Sequence, residues 1–175
     1  IPLTTVSVVP FPDGVLIPER IKELAEGGHI TQHHILPSNY NVRHLLDSGI
    51  SKIVLHIRDP RQALLSWVHH VLERKSFSGP ELRYASNILP PEDFFSWGFE
   101  KQVSWYLQND LPLWIKFLQD WLIRLKDTNL DLKILLMRYE DLRDDPTEYF
   151  SKVLDFYEID KSLLPLKDKR WAFNV

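Results

Sequence analysis

Cysteine is absent from the 175 residues, which removes disulfides, thiolate metal sites and a cysteine nucleophile from consideration. The lack also leans towards an intracellular, cytoplasmic setting. No apolar run approaches the ~18 residues that a membrane span requires, so no spanning helix is expected. Glycine is scarce, six in all, and none belongs to a Walker-type GxxxxGK[ST] phosphate loop. A strong charge of either sign is missing too. The formal net charge of −3 argues against a general nucleic-acid or membrane-surface binder, although it leaves room for a local basic site. There is no internal repeat, low-complexity tract or recognisable targeting peptide. The opening IPLTTVSVVPFPDG carries no initiator methionine, and we expect residues 1–175 to be a single domain truncated at both ends.

What is present alternates between two hydrophobic periods. PERIKELAE, residues 18–26, predicts a short helix opened by Pro18 and stopped by Gly27 and Gly28. HITQHHILP, residues 29–37, predicts a short strand, and YNVRHLLDSG a helix ending at Gly49. KIVLHI, residues 52–57, is β-branched and apolar on both faces, as in a central strand of a parallel sheet. Asp59 as N-cap and Pro60 at the first helical position then start a helix. Its core stripe is Ala63, Leu64, Trp67, Val68, Val71 and Leu72, with Arg61, Gln62, Ser66, His69 and Glu73 facing away.

Residues 76–98 read as loop with short helical pieces, followed by helices over 99–108 and 111–126. DLKILLMRYEDL, residues 131–142, repeats the pattern of a buried strand ending in charge. Asp145 and Pro146 start a last helix through Tyr157, with Val153, Leu154 and Tyr157 on its buried side. Strands alternating with helices imply an α/β fold, a parallel sheet covered on both faces.

Ligands of such sheets bind beyond the carboxyl ends of the strands. Three polar clusters fall there: Thr31 to His34, Arg58 to Arg61, and Arg138 to Asp141. Arg58, beside the start of a helix, stands where a bound anion would lie. The structural alternative is an ion pair with Asp59 or Glu140. Ser66 is either a helper on phosphate oxygens or a solvated serine. His33 and His34 are adjacent in a strand, so one of them reaches a given site. A histidine near its ordinary pKa serves as a general base, and the alternative is a ring satisfied by backbone groups. A zinc site using His29, His33 or the His69 and His70 pair has no spaced carboxylate or cysteine beside it, and no metal is expected.

The order of these clusters resembles the sulfotransferases that use 3′-phosphoadenosine 5′-phosphosulfate (PAPS). RDPRQALLS carries Arg58, Asp59 and Pro60, with Ser66 eight residues after the arginine. RYEDL is Arg138 to Leu142, followed by DDP and an amphipathic helix. QHHILP, residues 32–37, is similar to the family's THLP-like turn. The similarity runs from about residue 18 to residue 168. It implies a three-layer, P-loop-NTPase-like parallel sheet flanked by helices, and in-line transfer of a sulfuryl group from PAPS to the hydroxyl of a small molecule or glycan, leaving 3′-phosphoadenosine 5′-phosphate (PAP). By the same resemblance Arg58 and Ser66 bind the 3′-phosphate, Tyr139 lies near the adenine, and His33 is the base with His34 as alternate.

The departures are specific. The PKSGTT-like turn that holds the 5′-phosphosulfate in this family is not in the sequence, nor is its C-terminal RKG segment, and Thr31 stands where many cytosolic members carry lysine. Two other readings share the anion corner: a non-catalytic nucleotide-binding or scaffold homologue, and a P-loop kinase-like phosphotransferase that needs ATP and Mg²⁺. Phe77, Tyr84, Phe94, Phe95 and Trp97 either line an acceptor pocket or anchor their loop.

Overall fold

A computed structural model describes residues 14–27, 30–73 and 88–163. In chain order the elements are α1 (Pro18–Ala25), α2 (Asn39–Asp47), β1 (Lys52–Ile57), α3 (Pro60–Glu73), a 3₁₀ turn (Phe94–Ser96), α4 (Phe99–Asn109), α5 (Leu111–Leu125), β2 (Lys133–Arg138), α6 (Tyr139–Asp144), α7 (Pro146–Tyr157) and a final 3₁₀ turn (Lys161–Leu163). They group into two compact units. Of the described residues, one unit takes those up to Ser51 together with those between Asp59 and Leu132; the other takes Lys52–Arg58 and those from Lys133 onward. No helix among the described residues is long and apolar enough to cross a membrane.

Local chemistry sets most boundaries. Ser38 caps α2 by accepting the Asn41 N–H at 3.1 Å, and Gly49 takes a positive φ of 86° after its end. Asp59 accepts the Arg61 N–H at 2.9 Å, so the expected cap on α3 forms ahead of Pro60. Asp145 does the same for α7 through the Glu148 N–H at 3.0 Å.

In the larger unit the expected stripe of α3 is the one buried: Leu64, Val68 and Val71 pack with Phe94 and Tyr106, and Trp67, Phe95, Trp97, Trp105 and Trp114 close around them. Phe94 is fully buried, so this 3₁₀ turn is an anchor for its loop. Phe77 and Tyr84 lie outside the described residues. The strand expected over 29–37 is reduced to single bridge positions at Ile30 and Ile35, the latter parallel to Gly14, with His29 itself outside the described residues. Asn41, 1 % exposed, supplies the reason. Its Nδ2 donates to the carbonyls of Gly14 and Leu36, both at 2.8 Å, and its Oδ1 accepts the Leu16 N–H at 3.0 Å. A side chain thus takes the place of further ladder bonds.

Asp110, 2 % exposed at the junction of α4 and α5, is the buried carboxyl group of this unit among the described residues. Burial pushes its carboxyl up to about 6, partly offset by the Trp114 side chain. The raised pKa fixes a sign. The folded state binds more protons than the unfolded chain between about pH 4 and 6, so ionisation weakens the fold as pH rises through 6. Asp110→Asn is therefore expected to raise stability at pH 7.5 by about 1–3 kcal/mol, with the gain gone near pH 4. Urea melts of both proteins at the two pH values measure it; a destabilised variant at pH 7.5 contradicts it.

The smaller unit is built on the parallel pairing of β1 with β2, in a register running from Lys52 opposite Lys133 to Ile57 opposite Arg138. The fold is α/β with a small parallel sheet. Two strands are described, and of the residues of β1 Leu55 is the one that is buried. Met137, Leu142 and Tyr149 form this unit's core with Val54, Leu135 and Val153. Tyr149 occupies the place expected of Tyr157, which is 38 % exposed, because the stripe on α7 runs 149, 153, 154. Lys52 fastens the start of β1, donating to the Phe156 carbonyl at 2.9 Å and pairing with Glu158 at 2.6 Å.

Candidate active site

In-register parallel strands carry the residues after their last pair side by side. Ile57 is opposite Arg138, so Arg58 and Tyr139 follow as neighbours beyond the carboxyl ends of β1 and β2. The Arg58 guanidinium lies over the Tyr139 ring, its carbon 4.4 Å from the centroid. Tyr139 opens α6 and does not extend the strand, because Arg138 keeps extended angles while the chain turns helical at the next residue. The tyrosine is thus fixed at a strand-to-helix corner, like Arg58 on the neighbouring strand.

The ion-pair alternatives for Arg58 are taken up elsewhere. Asp59 pairs with Arg61, whose guanidinium holds the aspartate carboxyl down at about 2. Glu140 pairs with Arg138 at 3.5 Å. Among the described residues Arg58 forms no ion pair, and its buried Nε has no hydrogen-bond partner. A half-buried guanidinium held on an aromatic face, with a buried Nε that has no partner, has the chemistry to receive an oxyanion, above all a bidentate one.

Ser66, His33 and His34 belong to the larger unit. Ser66 lies on the exposed side of α3, as its spacing predicts. The histidine segment is pinned just downstream: Trp121 Nε1 donates to the Ile35 carbonyl at 2.9 Å and Arg124 Nε to the Pro37 carbonyl at 3.0 Å, while Arg124 also bonds Asn39. His33 is half-buried. His34 keeps much of its surface exposed but sets its ring edge-on to Phe117, with centroids 6.5 Å apart. Desolvation, and then the charge of His33, hold its pKa below the ordinary value, so His34 is neutral at pH 7. Both histidines sit on this pinned segment, and the neutral imidazole of His34 is a form that accepts a proton. The described residues contain no group of three or more His, Asp or Glu gathered to hold a metal ion.

Three residues escaped the reading of the sequence. Asn41 sits inside an amphipathic helix, where an amide ordinarily marks the solvent side. His56, in the apolar run of β1, places Nδ1 2.6 Å from the Tyr149 hydroxyl and its ring edge-on to Tyr139, centroids 6.2 Å apart. Alternation along the strand was the available signal, since His56 and Arg58 are two apart and share a face. Tyr149 had no such cue.

The chain matches no curated protein and no solved structure. A family model does match: that of the sulfotransferase domain, over residues 18–175.

Proposed function

This chain belongs to the sulfotransferase domain family, and from that membership we propose that it moves a sulfuryl group from PAPS to a hydroxyl acceptor. The observation that carries the donor assignment is the Arg58 guanidinium stacked on Tyr139 with its Nε unspent. In the proposed complex the 3′-phosphate takes bidentate hydrogen bonds from Arg58, the Ser66 hydroxyl adds another, and the adenine lies beside Tyr139. His33 removes the acceptor's hydroxyl proton as its oxygen attacks sulfur; the S–O bond to the 5′-phosphate breaks and PAP departs. His34 is the alternate base. As in phosphoryl transfer, positioning and electrostatic stabilisation of the leaving oxygen supply most of the acceleration.

Isothermal titration with PAP tests the donor site. Arg58→Ala is expected to weaken binding about 10- to 100-fold, the worth of charge-assisted hydrogen bonds. Arg58→Lys recovers part of it, because a point charge replaces neither the fork nor the stack. Equal affinity of wild type and Arg58→Ala contradicts the assignment. Transfer of labelled sulfate from PAPS, without added Mg²⁺, then separates a transferase from a nucleotide-binding homologue and from a kinase.

A further inference from the structure

His56 has no part in the transfer just described, yet it is tied to the ring that carries Arg58. Its Nδ1 meets the Tyr149 hydroxyl at 2.6 Å, and Tyr149 is a core residue, 6 % exposed, so the imidazole is held against a rigid support. The same imidazole lies edge-on to Tyr139, at 6.2 Å between centroids, and tilted on Tyr149 at 5.7 Å. Arg58 lies over Tyr139. Arg58 follows β1 directly, two residues after His56, and the alternation of extended chain gives such a pair one side and a spacing of about 7 Å. Resting on the nucleotide reading above, we infer that His56 is a titrating second arm of the Arg58 anion site, gaining a proton when a phosphate monoester binds and thereby strengthening the complex.

The surroundings support the direction. Around His56 stand Arg58 just past the end of its strand, Tyr139 and Glu140 on α6, and Tyr149 on α7; Glu140 is in turn paired with Arg138, and Asp141 faces Tyr149. Desolvation lowers the His56 pKa and Glu140 only partly offsets it, so the imidazole is neutral at pH 7 without a ligand. A dianion on Arg58 adds negative charge within reach of the ring, which raises the pKa and draws a proton from solvent. Both ring nitrogens then carry hydrogen. Nδ1 donates to the Tyr149 oxygen, whose own hydrogen rotates away, and Nε2–H is left to face the anion or water.

By linkage, PAP affinity rises as pH falls towards the titration of His56. The experiment is titration calorimetry of the full chain with PAP at pH 8.0 and pH 6.5, each in two buffers of different ionisation enthalpy. Wild type is expected to gain about three- to tenfold in affinity over this range relative to His56→Gln, and to take up a fraction of a proton that the variant does not. Protonation of the phosphate itself is common to both proteins and cancels in the comparison. Tyr149→Phe, which leaves the imidazole able to titrate but unbraced, is expected to show a smaller difference between the two pH values. Equal pH profiles and equal proton uptake in wild type and His56→Gln overturn the inference while leaving the nucleotide site standing. Absence of PAP binding to wild type at both pH values overturns the nucleotide site and this inference with it.

Discussion

His33→Ala is expected to slow sulfuryl transfer by about 10²- to 10⁴-fold while leaving PAP affinity within about twofold of wild type, the range a positioned general base contributes. The separation of effects follows from the chemistry assigned to the residue. A base touches the acceptor's proton in the transition state and makes no contact with the 3′-phosphate, so its loss appears in kcat. The segment it stands on is fixed by hydrogen bonds from Trp121 and Arg124 to the carbonyls of Ile35 and Pro37, which keeps the truncation local. His34→Ala is the control. His34 is held neutral by desolvation of its ring beside Phe117, so its loss tests the alternate on the same segment. Turnover abolished by His34→Ala and retained by His33→Ala moves the assignment to His34; turnover retained by both variants removes a histidine base from the mechanism.

The largest effect on stability is expected at Asn41. Asn41→Leu keeps the volume and the helix but strips three hydrogen bonds at once, leaving the Leu36 carbonyl and the Leu16 N–H without their side-chain partner and the Gly14 carbonyl with the Leu36 N–H alone. Each such orphan costs about 1–3 kcal/mol, so the loss should reach about 3–5 kcal/mol in urea denaturation. Faster hydrogen exchange at the Leu16 amide should accompany it. A loss below about 1 kcal/mol shows that the clamp does not hold the segment leading to the histidines.

Much of this structure was written in short-range chemistry. Asp and Pro at helix starts, glycine after helix ends and the stripe of α3 are decided within a few residues, and each emerged where its spacing placed it. The buried character of KIVLHI holds at Leu55, because an apolar pattern records what a strand is able to bury and not what packs on each of its residues. The bridge at Ile35 was overestimated for a related reason: its backbone partners come from Asn41, and no local pattern announces a long-range side-chain clamp. Arg58 and Tyr139 were visible one at a time, as strand-end residues; their stacking depends on the register between strands 81 positions apart in sequence. His56 was hidden by its company, a single polar residue in an apolar strand.

A crystal structure of the protein soaked with PAP tests the central claim most directly. The account predicts density for the 3′-phosphate within hydrogen-bond distance of the Arg58 guanidinium, with the purine beside Tyr139. The nucleotide bound elsewhere, with the guanidinium still resting on Tyr139 and engaged by a carboxylate of the protein, would contradict it.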